Sequence, residues 1–155
     1  MRILGVDYGL ARIGLALSDP TGLLAQGLTV LKRKSDSDAA LAIHQLVLEH
    51  GVQQIVVGLP LNMNGSEGER ALQCREFANL LRDVCHLEVV LYDERLTTVS
   101  AERILIEAQV RRKDRRQVVD SVAASILLQS YLDSLRSAAR RAEAEAEADE
   151  DEPTI

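Results

Sequence analysis

The chain has 155 residues, 46% of them hydrophobic and 27% charged, with a formal net charge of −6. That length favours one domain with a sizeable core and makes a second domain unnecessary. The charge is unevenly spread: seven acids and no base stand in residues 142–155, so residues 1–141 carry +1. Their positive charge clusters in Arg111-Arg-Lys-Asp-Arg-Arg116 and Lys32-Arg-Lys34, the distribution a polyanion-binding surface needs. No apolar stretch is long enough to span a bilayer, and Asp7 interrupts the N-terminal run before it could form the centre of a signal peptide. A cytoplasmic protein with no membrane partner is therefore expected.

Three strand-like runs come first, Arg2–Tyr8, Arg12–Ser18 and Leu23–Leu31, separated by Gly9 and by Asp19-Pro-Thr-Gly22, which predicts an antiparallel meander. Ser35-Asp-Ser-Asp38 then offers capping groups ahead of Ala39, Ile43, Leu46 and Val47, whose spacing marks one face of a helix ending near Gly51. Gln54-Ile-Val-Val-Gly-Leu59 reads as a central strand buried on both faces. After the Pro60–Gly65 loop, Ser66-Glu-Gly-Glu69 predicts a capping box for a helix bearing Cys74, Phe77, Ala78, Leu81, Val84 and Cys85 on its apolar face. The two cysteines lack a CxxC pattern and a histidine neighbour, so they are expected to be buried thiols. Leu87–Tyr92 supplies a fifth strand and Thr97–Gln109 a further helix. Val118–Arg141 forms the last helix, with Val119, Val122, Ala123, Ile126 and Leu127 inward.

The resulting βββαβαβαα pattern, with right-handed crossovers, predicts an α/β fold whose mixed five-stranded sheet has the order 3-2-1-4-5 and is flanked by helices. The C-terminal ends of strands one, four and five then share an edge, with a topological switch point between strands one and four. Asp7 and Asp93-Glu94 fall at that edge, and Asp120 opens the last helix. Unit like charges about 4 Å apart repel by about 4 kcal/mol at an effective dielectric of 20, so carboxylates meeting there need protons or a cation. Carboxylates without thiol or imidazole partners suit Mg²⁺ or Mn²⁺. Two such ions roughly 4 Å apart can activate water on one side of a phosphodiester and stabilise the leaving oxygen on the other.

Four motifs in order carry a resemblance: Gly5-Val-Asp-Tyr-Gly9, Gly58-Leu-Pro-Leu-Asn-Met63 with Gly65, Asp93-Glu-Arg-Leu-Thr-Thr98, and Asp120-Ser followed by Ala123-Ala124. Over about residues 2–135 the sequence resembles the YqgF (RuvX) family of Holliday-junction resolvases. These are relatives of RuvC in the ribonuclease H-like superfamily, also implicated in maturing the small-subunit ribosomal RNA precursor. The resemblance implies a ribonuclease H-like nuclease domain over 1–141 and makes Asp7, Asp93, Glu94 and Asp120 the metal-binding acids. Adjacent residues on a strand face opposite ways, so one member of the 93–94 pair should enter the site; the longer Glu94 is favoured, with Asp93 bracing the loop or Arg95. Asp7, Glu94 and Asp120 are thus the expected catalytic set.

Substrate contacts are expected from Asn62, Asn64 and Gly65, from Arg12 and Arg95 as phosphate clamps, and from Arg111, Arg112, Lys113, Arg115 and Arg116 beside Asp120. Family members often carry Asp where this chain has Asn64. The acidic segment 142–155 departs from the family and is expected to be a solvated, disordered tail; the sharper alternative is a polyanion mimic covering the basic loop. Three functions compete. The first is a metal-dependent endonuclease on structured nucleic acid, acting on a ribosomal RNA precursor, with the ribosome as an associated partner, or on branched DNA. The second is a non-catalytic ribosome- or nucleic-acid-binding module. The third is a nucleotide-binding phosphotransferase of the actin and sugar-kinase kind, which length disfavours because those enzymes clamp ATP between two such domains. Junction resolution favours a homodimer, whereas end trimming needs only a monomer.

Overall fold

The computed structural model describes residues 1–97 and 115–150, apart from the side chains of 115–120. Its elements are β1 (Ile3–Tyr8), β2 (Arg12–Ser18), β3 (Ala25–Lys32), α1 (Asp36–His50), β4 (Gln54–Leu59), α2 (Glu69–Cys85), β5 (Glu88–Asp93), a 3-10 turn (Glu94–Leu96) and α3 (Arg115–Glu150). The five strands form one sheet in the order β3-β2-β1-β4-β5, as expected. β1, β2 and β3 pair antiparallel, while β4 runs parallel to both β1 and β5. The helix expected over Thr97–Gln109 lies, beyond Thr97, outside the described residues.

Two cores cover the two faces of this sheet. Leu4, Val6 and Tyr8 of β1, with Ile55, Val57 and Leu59 of β4, pack under α1 and α2 against Ile43, Val47, Phe77 and Leu81. Alternate positions face the other way, where Ile3, Ala16 and Val56 meet Ala124, Leu128 and Leu132 of α3. Local chemistry sets the helix ends. Ser35 caps α1, its hydroxyl accepting from the Asp38 N–H at 3.1 Å, and Gly51 closes it in the left-handed region at φ +63. The cysteine-bearing face of α2 is buried as expected, and both thiols are free.

Three expectations need correction. Ser66 caps nothing: α2 starts at Glu69 after Gly68, with no side-chain cap. Instead Ser66 is taken up by Asn62 and Asn64, while Glu67 pairs with Arg75. The inward face of α3 is rotated from the expected one. Leu127 is buried as expected, and so are Ser121, Ala124, Ser125, Leu128 and Leu132, whereas Ala123 is exposed and Val122 and Ile126 are half-buried; the Val119 side chain lies outside the described residues. Glycines explain the shift, because a Cβ on Gly5 would lie 2.8 Å from the Leu128 Cβ and one on Gly27 2.6 Å from the Ser121 Oγ. The helix thus settles onto bare backbone through its small residues. Gln129 fixes the contact, its Oε1 accepting from the Ala25 N–H at 2.9 Å and its Nε2 donating to the Leu23 carbonyl at 3.1 Å.

The third correction concerns the acidic segment. α3 runs unbroken through position 141 to Glu150, and residues 134–150 are exposed helix rather than a disordered tail. Ala142, Ala144, Ala146 and Ala148 carry the strongest helix propensity of any residue, which outweighs repulsion among the interleaved glutamates. A rise of about 1.5 Å per residue puts Glu143 roughly 40 Å along the axis from Arg115. Among the described residues no helix is long and apolar enough to cross a membrane.

Candidate metal and nucleic-acid site

The sheet register brings the first two acids together. Val6 pairs with Val57, which pairs with Leu91, so the next row across the sheet is Asp7, Gly58 and Tyr92. By strand alternation Asp7, Gly58 and Tyr92 all face α3, opposite to Val6, Val57 and Leu91. Glu94, two residues beyond Tyr92, returns to that same face. Its carboxylate lies against Gly58, where a Cβ would stand 2.6 Å from Glu94 Oε1. Asp7 and Glu94 line a cleft of about 280 Å³ with Thr97 and with Ala123, Ile126 and Leu127 of α3.

The electrostatics of the pair follow from burial. The Asp7 carboxyl is held above its ordinary range by desolvation, with the Arg70 guanidinium pulling the other way. The Glu94 carboxyl is likewise raised, first by desolvation and then by the Asp7 charge, again opposed by Arg70. Glu94 therefore senses the Asp7 charge, as expected for a site that gathers negative charge. Cys74, in the same field, is a buried thiol pushed up to about 11, which removes it as a nucleophile at neutral pH.

Asp93 takes the other of the two roles open to the pair. It accepts from Arg95 through the backbone N–H at 2.9 Å and from the guanidinium at 2.8 Å, and its own carboxyl is lowered by that pairing. Arg95 also donates to the Met63 carbonyl at 3.2 Å and to the Asn62 carbonyl at 3.5 Å. The expected phosphate clamp is thus a strut between the end of β5 and the 60–65 loop. The loop's asparagines are engaged as well: Asn62 Nδ2 donates to Ser66 Oγ at 3.0 Å, and Asn64 Oδ1 accepts from the Ser66 N–H at 3.0 Å. Gly65 sits at φ +84, where a side chain would be strained. Arg12 is exposed at the start of β2 and has interactions of its own.

The remaining expected residues are not brought into view. Arg111, Arg112 and Lys113 lie outside the described residues. Arg115, Arg116 and Asp120 belong to the first turns of α3, and their side chains lie outside the description too. Of the second basic cluster, Arg33 is committed to structure: it stacks 4.5 Å over the Tyr8 ring, pairs with Asp36 at 3.1 Å and donates to the Leu10 carbonyl at 3.3 Å.

Two residues of the site escape sequence reasoning. Arg70 donates to the Tyr8 carbonyl at 2.6 Å and to Gln73 at 3.1 Å, which fixes a cation beside both acids. Its Tyr8 neighbour is itself locked, stacked on Phe77 at 4.4 Å and donating to Asp36 at 2.7 Å. One arginine on the polar side of an amphipathic helix carries no distinguishing signal. Gly58 does carry one, since glycine inside an otherwise apolar central strand marks a close approach.

A ribonuclease H-like α/β domain with paired carboxylates at its parallel-strand edge is the class that fold and site define. The Thermus thermophilus RuvC structure in complex with Holliday junction substrate superposes with a TM-score of 0.67 at 13% identity, covering 89% of this chain and 96% of that one. The complex of fowlpox virus resolvase with Holliday junction DNA gives 0.54 at 14% identity, covering 87% and 99%. The chain belongs to the RuvX family, described as Holliday junction resolvase, whose model matches residues 1–134. Proteins provisionally named pre-16S rRNA nuclease are similar along nearly the whole chain. The one from Pelotomaculum thermopropionicum is 49% identical over 99% of this chain and all of its own length. The one from Moorella thermoacetica is 52% identical over 87% of this chain and 96% of its own.

Proposed function

We propose that this protein is a metal-dependent endonuclease that hydrolyses phosphodiester bonds in structured nucleic acid. Its foremost role in that reading is 5′-end maturation of the small-subunit ribosomal RNA precursor, with branched DNA as the competing substrate. The observation that carries the reading is the placing of Asp7 and Glu94 on one sheet face across Gly58, both with raised carboxyl pKa values. Two half-buried acids, each raised first by desolvation and Glu94 also by the Asp7 charge, make a poor structural motif and a good cation seat. Membership of the RuvX family and the names of the similar proteins support the same activity.

The donor set fits Mg²⁺ or Mn²⁺. The cleft offers carboxylate oxygens from Asp7 and Glu94, with neither thiol nor imidazole in its lining, which matches hard cations. Among the described residues no group of three ligating side chains gathers. The third ligand in this reading is Asp120, whose position stands one and two turns ahead of Ala123 and Leu127 on a helix whose face lines the cleft. When bound, the metal supplies Lewis acidity at the phosphate and lowers the pKa of an attacking water. Asp7 and Glu94 would hold it, Arg70 balances their charge, and Ala123, Ile126 and Leu127 form the α3 side of the cleft. Asp93 and Arg95 set the loop beside it. The basic run Arg111–Arg116, next to the start of α3, is assigned to phosphates flanking the cut.

The test is a substrate panel with Mg²⁺ or Mn²⁺: a precursor 16S RNA, single-stranded RNA, duplex DNA and a four-way DNA junction. The reading expects divalent-dependent cleavage of the precursor RNA or the junction well above that of duplex DNA. Binding without cleavage under any metal condition would leave only a non-catalytic binding module.

A further inference from the structure

We propose that Met63 is an apolar wedge that packs against a nucleobase beside the scissile phosphate and holds it out of its stack. The inference deepens the nuclease reading and rests on it. Met63 is 98% exposed at the tip of the loop joining β4 to α2. An exposed methionine on a slack loop would mean nothing, but this loop is tightly built. The Asn62 N–H donates to the Ser66 carbonyl at 2.9 Å, the Gly65 N–H donates to the Asn62 carbonyl at 2.9 Å, and the Asn64 amide oxygen accepts from the Ser66 hydroxyl at 2.6 Å. Arg95 grips the Met63 carbonyl itself at 3.2 Å, and Arg95 is the chain neighbour of Glu94.

Two consequences follow. Both asparagine side chains hold the loop's own shape, and the thioether side chain is presented outward. Its backbone is also tied to Arg95, the residue after Glu94, which holds Met63 at the C-terminal edge of the sheet, the edge that carries Asp7 and Glu94. Leu10 in the β1–β2 turn, 70% exposed, and Leu96 in the 3-10 turn after β5, 58% exposed, stand at the same sheet edge. Single exposed apolar side chains are ordinary on a protein surface, but these three share the sheet edge that carries the acids. They are what a surface needs that must meet base faces while carboxylates and metal hold the phosphate. Methionine suits the task, being unbranched, polarizable and able to slide between bases, and apolar wedges of this kind unstack nucleic acid elsewhere.

The experiment reads base unstacking directly. Full-length protein carrying Asp7→Asn, to prevent cutting, is bound to two probes: an RNA spanning the boundary between the 5′ leader and mature 16S sequence, and a four-way DNA junction. Each carries 2-aminopurine singly at successive nucleotides around the boundary or branch point. A several-fold fluorescence rise at one position is expected in at least one probe, and which probe responds distinguishes RNA from DNA. Adding Met63→Ala should abolish that rise and weaken binding about tenfold, while Met63→Leu retains most of both. Because the side chain is fully exposed, the melting temperature should not move, so loss of fold cannot imitate the result. An equal fluorescence rise and equal affinity in Met63→Ala, or no rise at any position, would overturn the proposal. Neither outcome touches the nuclease reading, which stands or falls on cleavage by the unmodified protein.

Discussion

A methyl group at position 58 would enter the space that the Glu94 carboxylate occupies. The Cβ of Gly58→Ala would stand 2.6 Å from Oε1, 3.2 Å from Cγ and 3.3 Å from Cδ of Glu94. To reach ordinary van der Waals contact the carboxylate must retreat by about 0.8 Å or more, since well depth is reached near 3.5 Å. The backbone has no reason to object, because Gly58 lies in a regular central strand paired with Tyr92 and is not among the positive-φ glycines. Alanine in a strand interior gains about 0.5–1 kcal/mol over glycine, which shifts the melting temperature of a chain this size by about 2–4 °C at most. The chemistry has less tolerance, as misplacing a catalytic group by about 1 Å can cost roughly 100-fold. Gly58→Ala should therefore keep or slightly raise the melting temperature while cutting single-turnover cleavage about 100-fold and weakening Mn²⁺ binding by calorimetry. A folded Gly58→Ala protein with undiminished cleavage would refute the claim that the seat of Glu94 against Gly58 sets the activity.

Other outcomes are expected from the same geometry. Burial raises the Asp7 and Glu94 carboxyls above their unfolded values, so folding is penalised once pH rises past the ordinary carboxylate range and the penalty is complete above the raised values. Asp7→Asn and Glu94→Gln should each raise the melting temperature in metal-free buffer near neutral pH, with the gain vanishing in acid; calorimetric melts in EDTA across pH check both signs. Because a protonated ligand cannot hold the metal, the same shifts should make Mn²⁺ affinity fall as pH is lowered, which calorimetric titrations across pH check. Neutralising Arg112 and Arg115 together should lower the magnitude of the slope of log K against log salt by about one unit per residue without changing sequence preference. An unchanged slope would return the run to a solvated surface. Deleting residues 142–155 should leave the melting temperature and cleavage unchanged, since the helix is exposed from residue 134 onward. A fall in either would mean that the acidic helix acts on the core.

The sheet was legible because its signals are local and consistent. Turn residues bracket alternating runs in the meander, an unbroken apolar run marks β4, and handedness fixes the order of the rest. That Asp7 and the 93–94 pair meet at one edge was legible for a similar reason, since both follow strand ends, whereas Glu94 was preferred to Asp93 only for its longer side chain. The misreadings arose where a tertiary contact outbid a local pattern. Ser66-Glu-Gly-Glu69 has the spacing of a capping box, but Asn62 and Asn64 claim the serine. The apolar residues Val122, Ala123 and Ile126 read as an inner face, yet Gly5 and Gly27 admit Ser121, Ala124 and Leu128 to the sheet more closely. Arg70 was invisible because its meaning lies in the Tyr8 carbonyl it holds, far away in the chain.

The central claim is that Asp7 and Glu94 hold a divalent cation that cuts a phosphodiester. Single-turnover cleavage of the precursor 16S RNA, by wild type and by Glu94→Gln at the same saturating protein and Mg²⁺ concentrations, tests it most directly. The account predicts cleavage by wild type that EDTA abolishes, and a loss of about 100-fold or more in Glu94→Gln with RNA affinity nearly preserved. Cleavage by Glu94→Gln at the wild-type rate, or wild-type cleavage that survives EDTA, would contradict it.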